Sequence, residues 1–142
     1  MGAESHTYYV LAGNKPVLVH NCSPSAELLE EADNAEIAGG DFAAEYTSPS
    51  GATYRAHNKS GIQIPDGMAD ELSGFVHPHL GFAEMQCLAQ AYKAERPSVI
   101  RGGSMTVVHV SDTLKGAHGD LARPCGACAR TLRGLVIGVN DD

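Results

Sequence analysis

A chain of 142 residues, 43% hydrophobic and 19% charged, suffices for one compact domain with its own core. Its formal net charge of -7 favours an acidic domain, yet residues 1–91 hold three Lys/Arg against twelve carboxylates while residues 92–142 hold seven against five, so any polyanion belongs with the C-terminal part. No apolar run of about 18 residues and no basic-then-apolar start occurs, so neither a membrane span nor a signal peptide is expected.

In chain order, HTYYVLAGNKPVLVHNC, His6 to Cys22, reads as two short strands around a Gly-Asn turn. Ser-Pro-Ser at 23–25 then supplies an N-cap with Pro24 in the first helical position, opening a helix over AELLEEADNAEI that Gly39-Gly40 ends. FAAEYTSPSGATYRAHN reads as a hairpin turning at Pro49, Ser50 and Gly51, and PDGMADELSGF as a weaker helix. The strongest helix is AEMQCLAQAYKAE, residues 83–95, with Met85, Leu88, Ala89 and Tyr92 at the spacing of one apolar face and Pro97 as its stop. SMTVVHVS is a buried strand by its β-branched run. Pro124 introduces a further helix, CGACARTLRGL, and VIGV closes as a last strand. This order predicts an α/β sandwich. Of the four cysteines, 22, 87, 125 and 128, the last two form a CxxC, which points to metal or redox chemistry rather than a disulfide framework.

The N-terminal segment resembles the C-terminal end of the Hint (intein-like) domains that precede toxin domains in bacterial polymorphic toxins. The resemblance implies that His20 assists, that the Asn21 side-chain amide cyclises onto its own carbonyl, and that Cys22 is the first residue released. The residue types suit the chemistry, because Asn closes a five-membered imide and His supplies a proton near neutral pH. On this reading residues 1–21 are a Hint remnant and residues 22–142 the toxin domain. The resemblance further implies a secreted bacterial effector acting in the target-cell cytoplasm, with a cognate immunity protein and no membrane partner.

Downstream, FAEMQ at 82–86 and PCGAC at 124–128, each opening a helix with a strand between them, resemble the zinc-dependent deaminase superfamily. Two thiolates three residues apart at a helix N-terminus can point at one metal, and the unpaired amides there favour their ionised form. A carboxylate at a second helix N-terminus would then stand beside a metal-bound water made acidic by zinc. GFAEMQCLAQA, RGGSMTVVHV and GAHGDLARPCGACARTL narrow the resemblance to the YwqJ-like toxin deaminases over roughly residues 40–140. It implies a cytidine deaminase-like three-layer α/β/α sandwich, Zn2+ as cofactor, Glu84 as proton shuttle, Cys125 and Cys128 as ligands, and deamination of a nucleobase, cytosine in a nucleic acid being expected ahead of a free nucleotide.

One position departs from the pattern. Phe82 stands where the family has a His or Cys ligand, and a catalytic zinc needs three ligands from the protein. Three readings stay open: a substituted, inactive form; a third ligand from His79 or His77 in HPHLG, or from Cys87; or a fold retained without catalysis, its CxxC redox-active or merely packed. Among the substitutes His79 is best placed, with Gly81 allowing the chain to bend, and Cys87, more than a turn along the helix, is worst. His109 reads as a core histidine. His118 is a candidate substrate contact from the loop before Pro124, and Asn58 one by position after the YRAH strand. Arg130 and Arg133 are candidate phosphate contacts.

Overall fold

The structure, a computed structural model, describes residues 7–12, 15–20, 24–72, 80–95, 101–112, 116–124 and 126–140. Two strands, β1 (Thr7–Ala12) and β2 (Lys15–His20), form a separate antiparallel two-stranded sheet whose register sets Thr7 opposite His20 and Ala12 opposite Lys15. The expected hairpin is therefore present, while its Gly13-Asn14 turn and the Asn21–Cys22 junction lie outside the described residues.

Helix α1 (Ala26–Ala38) starts at Ser25, whose hydroxyl oxygen accepts from the Leu28 amide at 3.0 Å. The cap is thus two residues later than the Ser23-Pro24 start read from the sequence. Ser25 also donates to Glu45 at 3.1 Å, so the cap fixes the helix to the sheet as well as satisfying an open amide. Gly39, left-handed at φ 82°, closes the helix, and the amides of Gly39 and Gly40 return to the Glu36 and Ala35 carbonyls.

The main sheet has the order β4-β3-β5-β6. Strands β3 (Phe42–Thr47) and β4 (Thr53–His57) are the expected hairpin, and β3 pairs on its other side with β5 (Ser104–His109), Phe42 facing His109. Side-chain alternation along β3 and β5 divides the core into two layers. Ala43, Val108 and Val110 meet Leu28, Ala32 and Ala35 of α1 on one face. Ala44, Tyr46, Met105 and Val107 meet α2 (Asp66–Leu72), α3 (Ala83–Ala94) and α4 (Gly126–Gly134) on the other. The predicted α/β class holds: among the described residues there is a four-stranded mixed sheet with four helices, one on one face and three on the other.

Helix α3 is more deeply set than its one-sided pattern suggested, since every residue from Ala83 to Ala89 is buried. Its C-terminal end is tied to the β3–β4 hairpin through Glu95, which accepts from Ser50 at 2.9 Å, Ser48 at 3.2 Å and the Tyr54 hydroxyl. The last strand, β6 (Gly138–Asn140), starts two residues later than the VIGV reading and runs parallel to β5. The physical reason is the end of α4: Ile137 N–H returns to Leu132 and Val136 N–H to Arg133, with Val136 left-handed at φ 60°. Residues 136 and 137 therefore finish a Schellman turn, with Ile137 and Leu132 sharing one core cluster.

Candidate active site

Because β3 and β5 are antiparallel, the start of β3 and the end of β5 lie at the same end of the sheet, and the N-terminal turn of α3 and the segment entering α4 reach that end. The result is a cavity of about 720 Å³ lined by Phe42, Asn58, Phe82, Glu84, Val107 and His109, together with Asp41, Ala83 and the 121–124 segment. The volume suits a nucleoside-sized ligand.

Glu84 sits in the first turn of α3, 4% exposed. Burial pushes its carboxyl above the ordinary carboxylate value, and a hydrogen bond from its own backbone amide offsets this only in part. Phe82 is the N-cap residue of α3, without a side-chain cap bond, and its ring lines the same cavity.

Asn58 is oriented by two backbone donors. Its Oδ1 accepts from Asp41 N at 2.9 Å and Phe42 N at 3.2 Å, so the NH₂ end of the amide is the end left for the cavity it lines. Gly40 permits this close approach, since a Cβ there would stand 2.7 Å from Asn58 Oδ1.

His109 is buried, as expected of a core histidine, but it also forms cavity wall, its ring 5.5 Å from that of Phe42 and tilted by 45°. Strand parity carried this signal: Met105, Val107 and His109 alternate onto one face. Gln86 is a second residue the sequence reading passed over. Its buried amide accepts from Ile62 N at 2.6 Å and donates to the Ile62 and Leu80 carbonyls at 3.1 and 2.9 Å, tying the segment after β4 and the approach to Phe82 onto α3.

The other sequence candidates fall elsewhere. Cys87 faces the sheet: its thiol donates to the Ala44 carbonyl at 3.1 Å, and burial, then the nearby Glu84 and Glu31, push its pKa well up, so it is a neutral packing group. His118 is not among the cavity residues. Its ring nitrogens contact the Val110 carbonyl and Asp33 Oδ1, the latter at 2.8 Å, with Glu36 at 3.7 Å, fastening the loop before α4 to α1. Cys128 is buried in the core at the first turn of α4. Cys125, His77 and His79 lie outside the described residues, as do Asn21 and Cys22, and of His20 only its backbone place at the end of β2 is described.

No family model matches the chain, and no curated protein or solved structure matches it either. The chemistry has to be read from the site itself. Among the described residues no three His, Cys, Asp or Glu side chains come together as a metal set. The ring of Phe82 offers no donor atom, and of the proposed ligands only Cys128 lies within the described residues. Also among the described residues, no helix is long and apolar enough to cross a membrane.

Proposed function

We propose that residues 22–142 are a nucleobase deaminase domain of the polymorphic-toxin type, with a cytidine deaminase-like three-layer fold, held inactive by Phe82. The observation that carries this reading is one cavity containing the buried carboxyl of Glu84, the oriented amide of Asn58 and the Pro124 that leads into the CxxC. The disposition of one helix against three across a mixed sheet supports the architecture.

In the reaction, water adds to the amino-bearing ring carbon, ammonia leaves and a carbonyl remains. Glu84 moves a proton to the ring nitrogen and then to the departing amine, which its raised pKa suits. Asn58 donates to a hydroxyl or carbonyl of the substrate, and Phe42 and His109 flank the base. Cys125 and Cys128, with a third protein ligand, would hold zinc, which would supply the activated water. Phe82 would leave that third place without a donor atom, so turnover by this chain is expected near background.

The test is to express Phe82→Cys and Phe82→His chains in cells without an immunity protein and sequence genome and transcriptome. C-to-T changes that vanish on adding Glu84→Ala are the expected result. Zinc-loaded chains that leave no such changes would sink the reading. A second reading, a deaminase-like binding domain with a structural CxxC, draws on the complete burial of Cys128. It predicts well under one zinc per chain in every variant.

The β1–β2 hairpin ending at His20 supports the Hint remnant. Behind a complete Hint domain, release is expected at Cys22 and is lost in Asn21→Ala. Mass spectrometry finding the same cut in that variant would remove the assignment. A secreted route, action in the target cytoplasm and an immunity partner belong to the same proposal.

A further inference from the structure

We infer that His118 is a positioning residue: in its charged form it latches the loop before α4 onto α1, and through Gly116 the latch fixes the His109 wall of the cavity, which puts the shape of the cavity under pH control. The inference deepens the deaminase reading by naming a regulation of its site, and rests on that reading for what the cavity does.

Both ring nitrogens of His118 meet groups that only accept. Nε2 lies 2.8 Å from Asp33 Oδ1, and Nδ1 meets the Val110 carbonyl. A neutral imidazole has one N–H, so only the imidazolium serves both partners. Among the described residues the other charged groups gathered here are carboxylates. Glu36 of α1 stands 3.7 Å from Nδ1, Asp112 Oδ1 accepts from the His118 amide at 2.9 Å, and Asp120 Oδ2 accepts from the Ala117 amide at 2.9 Å. Asp41 is joined to Val110, whose amide donates to its carbonyl at 2.9 Å.

The loop carries the latch to the cavity. Gly119 N–H donates to the His109 carbonyl at 2.7 Å and His109 N–H to the Asp120 carbonyl at 2.8 Å, so the loop is bonded to the end of β5 while His118 holds it to α1. Gly116 lies directly on the His109 ring: a Cβ there would stand 2.6 Å from Cδ2 and 3.0 Å from Nε2. That ring is cavity wall, 5.5 Å from the ring of Phe42. With backbone packed against ring and no side chain between them to take up slack, a displacement of the loop changes the room the ring has.

When His118 loses its proton, the charged Asp33 keeps the one remaining N–H at Nε2, and the carbonyl of the buried Val110 then faces a lone pair. The unpaired end is thus the one beside His109. The backbone bonds remain, as does the Leu29 methyl 3.1 Å from the place of a Cβ on Gly119, so the loop shifts without departing. The Val110 carbonyl first, and then Asp33, raise the pKa of His118. The latch is therefore complete below the ordinary histidine value and is lost as pH rises from there through the raised folded value.

The experiment follows imidazole and amide NMR signals of the native full chain between about pH 5 and 9. The His109 ring and the Gly116 and Gly119 amides are expected to shift with the midpoint of His118. Asp33→Asn, at an exposed position, should lower that midpoint for all of these signals together, and His118→Gln should abolish the component they share. His109 signals that hold still through the His118 titration, that keep their midpoint in Asp33→Asn while His118 moves, or that titrate unchanged in His118→Gln overturn the inference. In zinc-loaded Phe82→Cys, cytidine deamination should fall on the alkaline side at the same midpoint, and earlier with Asp33→Asn added; an active chain without that fall also overturns it. The NMR readout needs neither zinc nor turnover. Coupled signals in a chain whose Phe82→Cys form never deaminates would remove the deaminase reading and keep the latch. Deamination by Phe82→Cys without the coupling would do the reverse.

Discussion

Replacing Phe82 by Cys sets two opposed effects against each other, and their sizes can be worked out. Phe82 is 36% exposed, so about two-thirds of its surface is covered, and trimming the ring to a thiol removes about 1–2 kcal/mol of apolar burial. Without metal the variant should therefore melt lower than the native chain, by about 3 °C per kcal/mol for a chain of this size. If position 82 is the missing ligand place, zinc at a thousand times its Kd adds about 4 kcal/mol, more than the packing loss. Melting followed by circular dichroism, with chelator and with zinc, should show Phe82→Cys falling below native in the first and rising above it in the second. Phe82→Ala is the control, since it loses the ring and gains no ligand. A Phe82→Cys chain that follows Phe82→Ala in both conditions refutes the placement of a metal site beside Glu84.

Three further outcomes follow from single residues. Glu84 holds its proton more tightly folded than unfolded, so its ionisation removes stability as pH climbs from the ordinary carboxylate range through the raised folded value. Glu84→Gln should gain on native in melting temperature across that climb, and a pH-independent difference would contradict the buried carboxyl. His118 contacts acceptors through both ring nitrogens, the Val110 carbonyl and Asp33, and its pKa is raised by them in that order. Its stabilisation should be complete below the ordinary histidine value and be lost as pH rises from there through the raised folded value, so native and His118→Gln chains should differ in melting most in mild acid. An equal difference in alkali would be the contrary result. Val136 is 75% exposed and left-handed, a conformation costing a residue with a Cβ about 1–2 kcal/mol. Val136→Gly should raise stability by about 0.5–1 kcal/mol after the added chain entropy of glycine, and a lower melting point would refute the strain.

Much of this arrangement is legible in the sequence because it is local. The Gly39-Gly40 stop, the Pro-Ser-Gly turn and the Val-rich run each act within a few residues, and the structure places α1, the β3–β4 hairpin and β5 accordingly. The meeting of Asn58, Phe82 and Glu84 in one cavity was legible only through the resemblance, since nothing local links a strand end to a helix start. Where the reading fell short, a long-range contact decides. His118 bonds a residue 85 positions away, and His109 becomes cavity wall only through its pairing with Phe42. The shift of the last strand has a local cause of an uncommon kind, a valine in a place that usually holds glycine.

The antiparallel pairing of β3 with β5 also sets an order of events along the emerging chain. The β3–β4 hairpin closes over a short turn and α1 caps itself, so both can form early, whereas Phe42 meets His109 only after the whole middle of the chain has been made. Closing so long a loop is slow and unrewarded until its contacts are in place. The cavity draws on residues from Asp41 to Pro124, so no nascent fragment that stops short of Pro124 holds it entire. The producing cell thus makes most of this chain before it has made the site.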